Sequence, residues 1–72
     1  MRVTPGLYQH YKGGRYEVIG EARHTETEED LVLYRALYGE RGLWVRPLDM
    51  FCETVEVESK QVPRFALLSA AD

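Results

Sequence analysis

The chain has 72 residues, enough for one domain with a thin core in which eight aromatic side chains supply much of the bulk. Its one cysteine, Cys52, excludes an intramolecular disulfide and a multi-cysteine metal site, and no apolar stretch reaches the ~18 residues of a membrane span. The net charge of −3 argues against a strongly basic nucleic-acid surface, although it conceals segregation: residues 1–24 and 31–46 each carry +2, residues 25–30 carry −4 and residues 47–72 carry −3.

In chain order, residues 1–6 are a lead-in ending in the turn pair Pro5-Gly6. LYQHY (7–11) reads as a short aromatic strand, closed by Lys12-Gly13-Gly14, where paired glycines supply the positive φ of a tight turn. RYEVIGEARHT (15–25) alternates as a half-buried strand. Tyr16, Val18, Gly20, Ala22 and His24 fall on the inward face; Glu17, Ile19, Glu21 and Arg23 fall on the outward one. Gly20 interrupts the pattern and predicts a bulge or bend. TETEED (25–30) has no apolar residue and is a solvated loop.

LVLYRALY (31–38) reads as a strand from its Val, Tyr and Leu content, with apolar bulk on both faces, which predicts a central strand covered on both sides. Gly39-Glu40-Arg41-Gly42 turns the chain back into LWVR (43–46), and Pro47 ends that strand because it has no N–H to donate. PLDMF (47–51) predicts one helical turn tucked under the fold. ETVEVESK (53–60) reads as a simple alternating strand, and QVPRF (61–65) as an edge strand that tolerates Pro63. The expected fold is all-β, a small SH3-like antiparallel barrel or roll of about five short strands, folded over 6–65 with 66–72 as a tail.

The chain also resembles a known family over roughly residues 6–65: Tyr8, His10-Tyr11-Lys12-Gly13-Gly14, Tyr16, Val18, Ala22-Arg23-His24 and Glu26, then Tyr34-Arg35-Ala36-Leu37-Tyr38, Leu43-Trp44-Val45-Arg46-Pro47, Met50-Phe51 and Val62-Pro63-Arg64-Phe65. The pattern is similar to that of a small bacterial family catalogued as a domain of unknown function. The resemblance implies an SH3-like β-roll and supplies no activity, cofactor or catalytic residue.

The chemistry-bearing residues form an aromatic and basic set. Its candidate ligand-binding members are His10, Tyr11, Lys12, Tyr34, Arg35, Trp44 and Arg46, with Tyr8 and Tyr38 beside them. Aromatic rings stack on planar groups or hold cations, and arginine offers a planar fork to carboxylate or phosphate. The competing explanation makes these rings the core, with arginine stems covering its rim. Arg35, mid-strand in the most apolar run, has its own plain explanation as a structural ion pair with Glu17 or Glu21.

His24 with Glu26, Glu28 and Asp30 imitates a metal cluster, but loop carboxylates without a second nearby histidine are poor ligands; a hydrogen bond at a strand end is the expected role of His24. Cys52, beside Phe51 and Glu53, reads as a buried structural thiol rather than a nucleophile.

The sequence therefore favours a cytoplasmic, non-catalytic binding module, monomeric or homodimeric, with no cofactor and no metal. Its aromatic-basic groove would take a small anionic ligand or a peptide. An RNA- or DNA-contacting module with one basic face, and a small enzyme using His10 or His24 as acid or base, stand as alternatives.

Overall fold

Turn chemistry and strand alternation partition the described residues, 3–71 of the computed structural model, into seven strands and one helical turn. These are β1 (Gly6–His10), β2 (Arg15–Arg23), β3 (Asp30–Ala36), β4 (Leu43–Pro47), α1 (Leu48–Phe51), β5 (Thr54–Val57), β6 (Lys60–Pro63) and β7 (Phe65–Ala70). Five of the strands form one sheet in the order β4-β3-β2-β1-β7, with every neighbouring pair antiparallel. Among the described residues, β5 and β6 pair only with each other. The fold is all-β, as its sequence leads one to expect, but with seven strands in place of about five.

The sheet is open and does not close into a barrel, because β4 and β7 stand unpaired with each other at its two edges. The chain leaves β4 through Pro47 straight into α1, and the next two strands are spent on a separate hairpin. That hairpin corrects the reading of 53–60 as one strand. Glu58 and Ser59 carry φ of 50° and 66°, the two positive values of a type I′ turn, with none of the glycine or asparagine that usually marks one. The segment 66–72, expected to be a tail, supplies most of β7, whose residues Phe65 to Ala70 pair with β1.

A register shift between Val18 and Gly20 places a bulge at Ile19, where the Gly20 interruption predicted one. Its consequence reaches further than a bend. Side chains repeat every two residues along a strand, so one inserted residue reverses the faces beyond it. Before the bulge Tyr16 and Val18 point inward as expected; beyond it Glu21 shares a face with buried Val32, while Ala22 is exposed. Glu21 turns its carboxylate to the Val3 amide, which donates to it at 2.9 Å.

The core lies on one side of the sheet. Val3, Tyr8, Val18, Val32, Tyr34, Leu48, Phe51 and Phe65 cluster there, with Tyr16 against them. Leu48 and Phe51, three apart, are the inward pair of α1. The next residue falls off that face, so Cys52 is exposed rather than buried, which corrects its assignment as a structural core thiol. Its backbone N–H closes the turn on Leu48 O at 3.0 Å. Phe51 stacks on Phe65 with ring centres 4.3 Å apart and planes 6° from parallel. Tyr8 meets Phe51 edge-on at 5.3 Å. Among the described residues no helix is long and apolar enough to cross a membrane.

β1 and β7 approach closely at Gly6, where φ is +148° and an added Cβ would sit 2.3 Å from Ser69 O. Neither the backbone conformation nor the space accepts a side chain there. Gly6→Ala is expected to destabilise the fold by about 2 kcal/mol or more through strain and overpacking. The check is a urea melt: the midpoint falls with an unchanged slope, and an unaltered midpoint would contradict this close approach.

Candidate functional site

The inward face of β3 and β4 continues past the core into an open cavity of about 400 Å³ at the end of the β3–β4 hairpin. Alternation sets its walls. Tyr34 faces inward from β3 and pairs with Trp44 on β4, and Val32 likewise pairs with Arg46, so Tyr34, Trp44 and Arg46 share one face. Tyr16 of β2 pairs with Ala36 of β3 and brings a third ring. Tyr38 and Arg41, from the hairpin turn, complete the lining together with Glu40. Arg41 holds φ of 56°, a left-handed conformation uncommon for a side-chain-bearing residue.

The tyrosines form a connected set. Tyr16 meets Tyr34 and Tyr38 edge-on at 5.4 Å and 5.6 Å, and the Tyr16 and Tyr38 hydroxyls lie 2.6 Å apart in a hydrogen bond. Burial, then the Tyr38 hydroxyl, then the neighbouring Tyr34 push the Tyr16 phenol up to about 12, against a smaller opposing pull from Arg46. It therefore stays protonated at neutral pH and works as a hydrogen-bonding group rather than a base.

Trp44 is 61% exposed and belongs to the cavity wall, not to the core. Arg46 is held differently. Its guanidinium carbon sits 5.4 Å from the centre of the Phe65 ring, and its Nε is buried with no hydrogen-bond partner. The described residues give it no carboxylate: the ion pairs among them are Arg23–Asp30 at 3.5 Å and Arg64–Glu53 at 2.8 Å. A cation lying on an aromatic face, with no carboxylate paired to it, is a charge that an anion in the cavity can neutralise.

The seven residues singled out from the sequence are divided among three places. Tyr34, Trp44 and Arg46 line the cavity. His10 and Tyr11 line a second depression of about 390 Å³ with Val57, Val62 and Pro63, and Lys12 lies near it with its ammonium 5.7 Å from the Tyr11 ring centre. Arg35 lies on the opposite face of the sheet, since its neighbours Tyr34 and Ala36 are the inward, buried residues of β3. It sits across from Glu17 and Leu43, yet no ion pair joins it to Glu17 or to Glu21. Tyr16 and Arg41 were not singled out: Tyr16 reads as an ordinary inward strand residue, and Arg41 as part of a turn. The signal for both lies in cross-strand register, which a single strand does not carry.

Both histidines serve turns. His10 Nδ1 accepts the Lys12 amide at 3.1 Å, and His24 Nδ1 accepts those of Glu26 and Thr27 at 3.1 Å and 3.3 Å. His24 thus makes the strand-end hydrogen bond expected of it. Among the described residues no three His, Cys, Asp or Glu side chains gather in a metal-ligating group. The hydrogen bonds and ion pairs among these residues join neither histidine to a carboxylate. Burial lowers the His10 pKa, and the charges of Arg46, Arg64 and Lys12 lower it further.

Together these features define an all-β domain on an open antiparallel sheet, with an aromatic and basic cavity on the side that carries its core. The chain belongs to the family described as "Protein of unknown function (DUF1653)", whose model matches residues 6–67. It is similar to a solved structure, the crystal structure of a protein of the same family from Bordetella bronchiseptica. The two share 38% sequence identity over 99% of this chain and 94% of that chain, with a TM-score of 0.87. No curated protein matches the chain.

Two predictions follow from this geometry. Trp44→Ala removes an exposed ring and is expected to change stability by no more than about 0.5 kcal/mol, leaving the thermal melt almost unmoved; a large fall in Tm would return Trp44 to the core. His10 has a folded pKa below its unfolded value of about 6.5, so its contribution to stability is present above that value and is lost as the pH falls from there through the folded pKa. Tm is expected to drop between about pH 7.5 and about pH 5.5, and to drop less in His10→Asn, whose amide oxygen can still accept the Lys12 N–H. Equal drops in both proteins would show that His10 is not the group responsible.

Proposed function

We propose that this protein is a non-catalytic binding module whose cavity takes a small, planar, anionic ligand, either free or carried on a peptide side chain. The observation that carries the reading is Arg46: a guanidinium laid on the Phe65 ring, its buried Nε–H unpaired, at a cavity walled by Tyr16, Tyr34, Tyr38 and Trp44. The rings would stack on the planar part of the ligand, Arg46 would bind its carboxylate or phosphate, and Arg41 would add a second positive charge at the rim. A volume of about 400 Å³ suits a small molecule or a single side chain. The one thiol in so small a chain supports a cytoplasmic setting for this binding.

Trp44 is the only tryptophan, so its fluorescence reports the cavity directly. Titration with benzoate, phenyl phosphate and inorganic phosphate in turn is expected to quench or shift the emission with the two planar anions and much less with phosphate. Arg46→Met, which keeps much of the stem and removes the charge, is expected to weaken binding by about 10–100-fold, the worth of a hydrogen-bonded charge. Arg35→Met is expected to bind like the parent protein. An emission that none of these anions changes at millimolar concentration, or equal binding by Arg46→Met, would remove the anion-binding reading.

A further inference from the structure

Among the described residues, no layer of secondary structure covers the face of the sheet turned away from the core. Register identifies its residues: with Tyr34 and Val32 inward, the pairs Leu33–Val45 and Arg35–Leu43 lie on the outer side, and so does Leu31. Leu43 and Val45 are 54% and 53% exposed. Glu17 of β2 stands directly across from Arg35 at the middle of this face. Beside it, Leu7 and Leu37 border a shallow depression of about 430 Å³ that Glu17 also lines.

A sheet is ordinarily stabilised by covering its apolar faces, and contiguous apolar surface of this kind on a free monomer is uncommon. The two charges at its centre determine what can cover it. Arg35 has a buried Nε without a hydrogen-bond partner, and neither Arg35 nor Glu17 takes part in an ion pair among the described residues. One acid and one base side by side in an apolar field form a self-complementary patch. A two-fold axis through the face would set Glu17 of each copy against Arg35 of the other and lay leucines against leucines. An interface of standard size takes about 800 Å² from each partner, about 15% of this molecule's 5223 Å² surface, which one face of a five-stranded sheet can supply.

We propose that the protein is a homodimer in which two copies pack these outer faces together, with reciprocal Glu17–Arg35 pairs at the centre. The cavities then lie on the two outer surfaces of the dimer and stay open. β3 becomes covered on both sides, as its composition predicts.

Sedimentation equilibrium of the full chain tests the proposal. The parent protein is expected at twice 8.3 kDa at micromolar to millimolar concentration. Glu17→Arg sets Arg against Arg at both central contacts, and Arg35→Glu sets Glu against Glu; each variant alone is expected at 8.3 kDa with an unchanged circular dichroism spectrum. Mixed in equal amounts, the two are expected to recover the doubled mass, because every central contact in the heterodimer is again Arg with Glu. Val45→Glu, at an exposed edge position, is a further monomeric variant should either charge reversal fail to fold. A monomeric parent protein overturns the proposal. So do single variants that remain dimeric, which would move the interface to another surface such as the free edge of β7. A mixture that stays monomeric overturns the reciprocal pairing.

Discussion

The stack of Phe51 on Phe65 is the contact on which the rest of this molecule depends. Phe51 comes from the one-turn helix and Phe65 from the first position of the last strand, so the stack ties the helix to the edge strand of the sheet. Tyr8 and Tyr34 close around the pair from β1 and β3, so four elements converge on two rings. A chain this short buries little surface in total, and parallel, closely spaced aromatics supply a large share of what it can bury. The same Phe65 ring supports Arg46 on one side and meets His10 edge-on at 4.9 Å. Core packing and presentation of the binding groups are thus one arrangement.

Charge is placed by the same geometry. Arg35 and Arg46 both lie in apolar strands, yet alternation sends them to opposite faces of one sheet. Arg46 joins a wall of tyrosines on the side of the core, while Arg35 joins leucines on the other side. Leaving the sheet open makes this division possible: a closed barrel would have filled its interior with the inward rings, whereas the open sheet lets Tyr34, Trp44 and Arg46 run beyond the core into solvent. Membership of a family whose description carries no activity gives no ligand for this surface, so the functional reading rests on these side chains.

Much of the architecture was legible because it depended on residues with strong local preferences. Gly13-Gly14 and the 39–42 turn marked two hairpins, Pro47 ended β4, and the following Leu-Asp-Met-Phe made the helical turn. Gly20 marked the bulge. Where such residues were absent the turn was hidden: Glu58-Ser59 closes the β5–β6 hairpin with two ordinary residues at positive φ. Nor did Gly20 mark the outcome of its bulge, since the change of face after Ile19 is fixed by the pairing of β2 with β3.

By itself, then, the sequence determined the all-β class, the first four strands and the helical turn after Pro47, since turn chemistry and two-residue periodicity act within a few residues of one another. Tertiary structure alone decided the rest. The open edge, the recruitment of residues 65–70 to pair with β1, and the exposure of Trp44 all follow from how distant segments pair. So does the composition of the site. Tyr16 reaches Tyr34 and Tyr38 only through the register of β2 on β3, and that register is a property of two strands together.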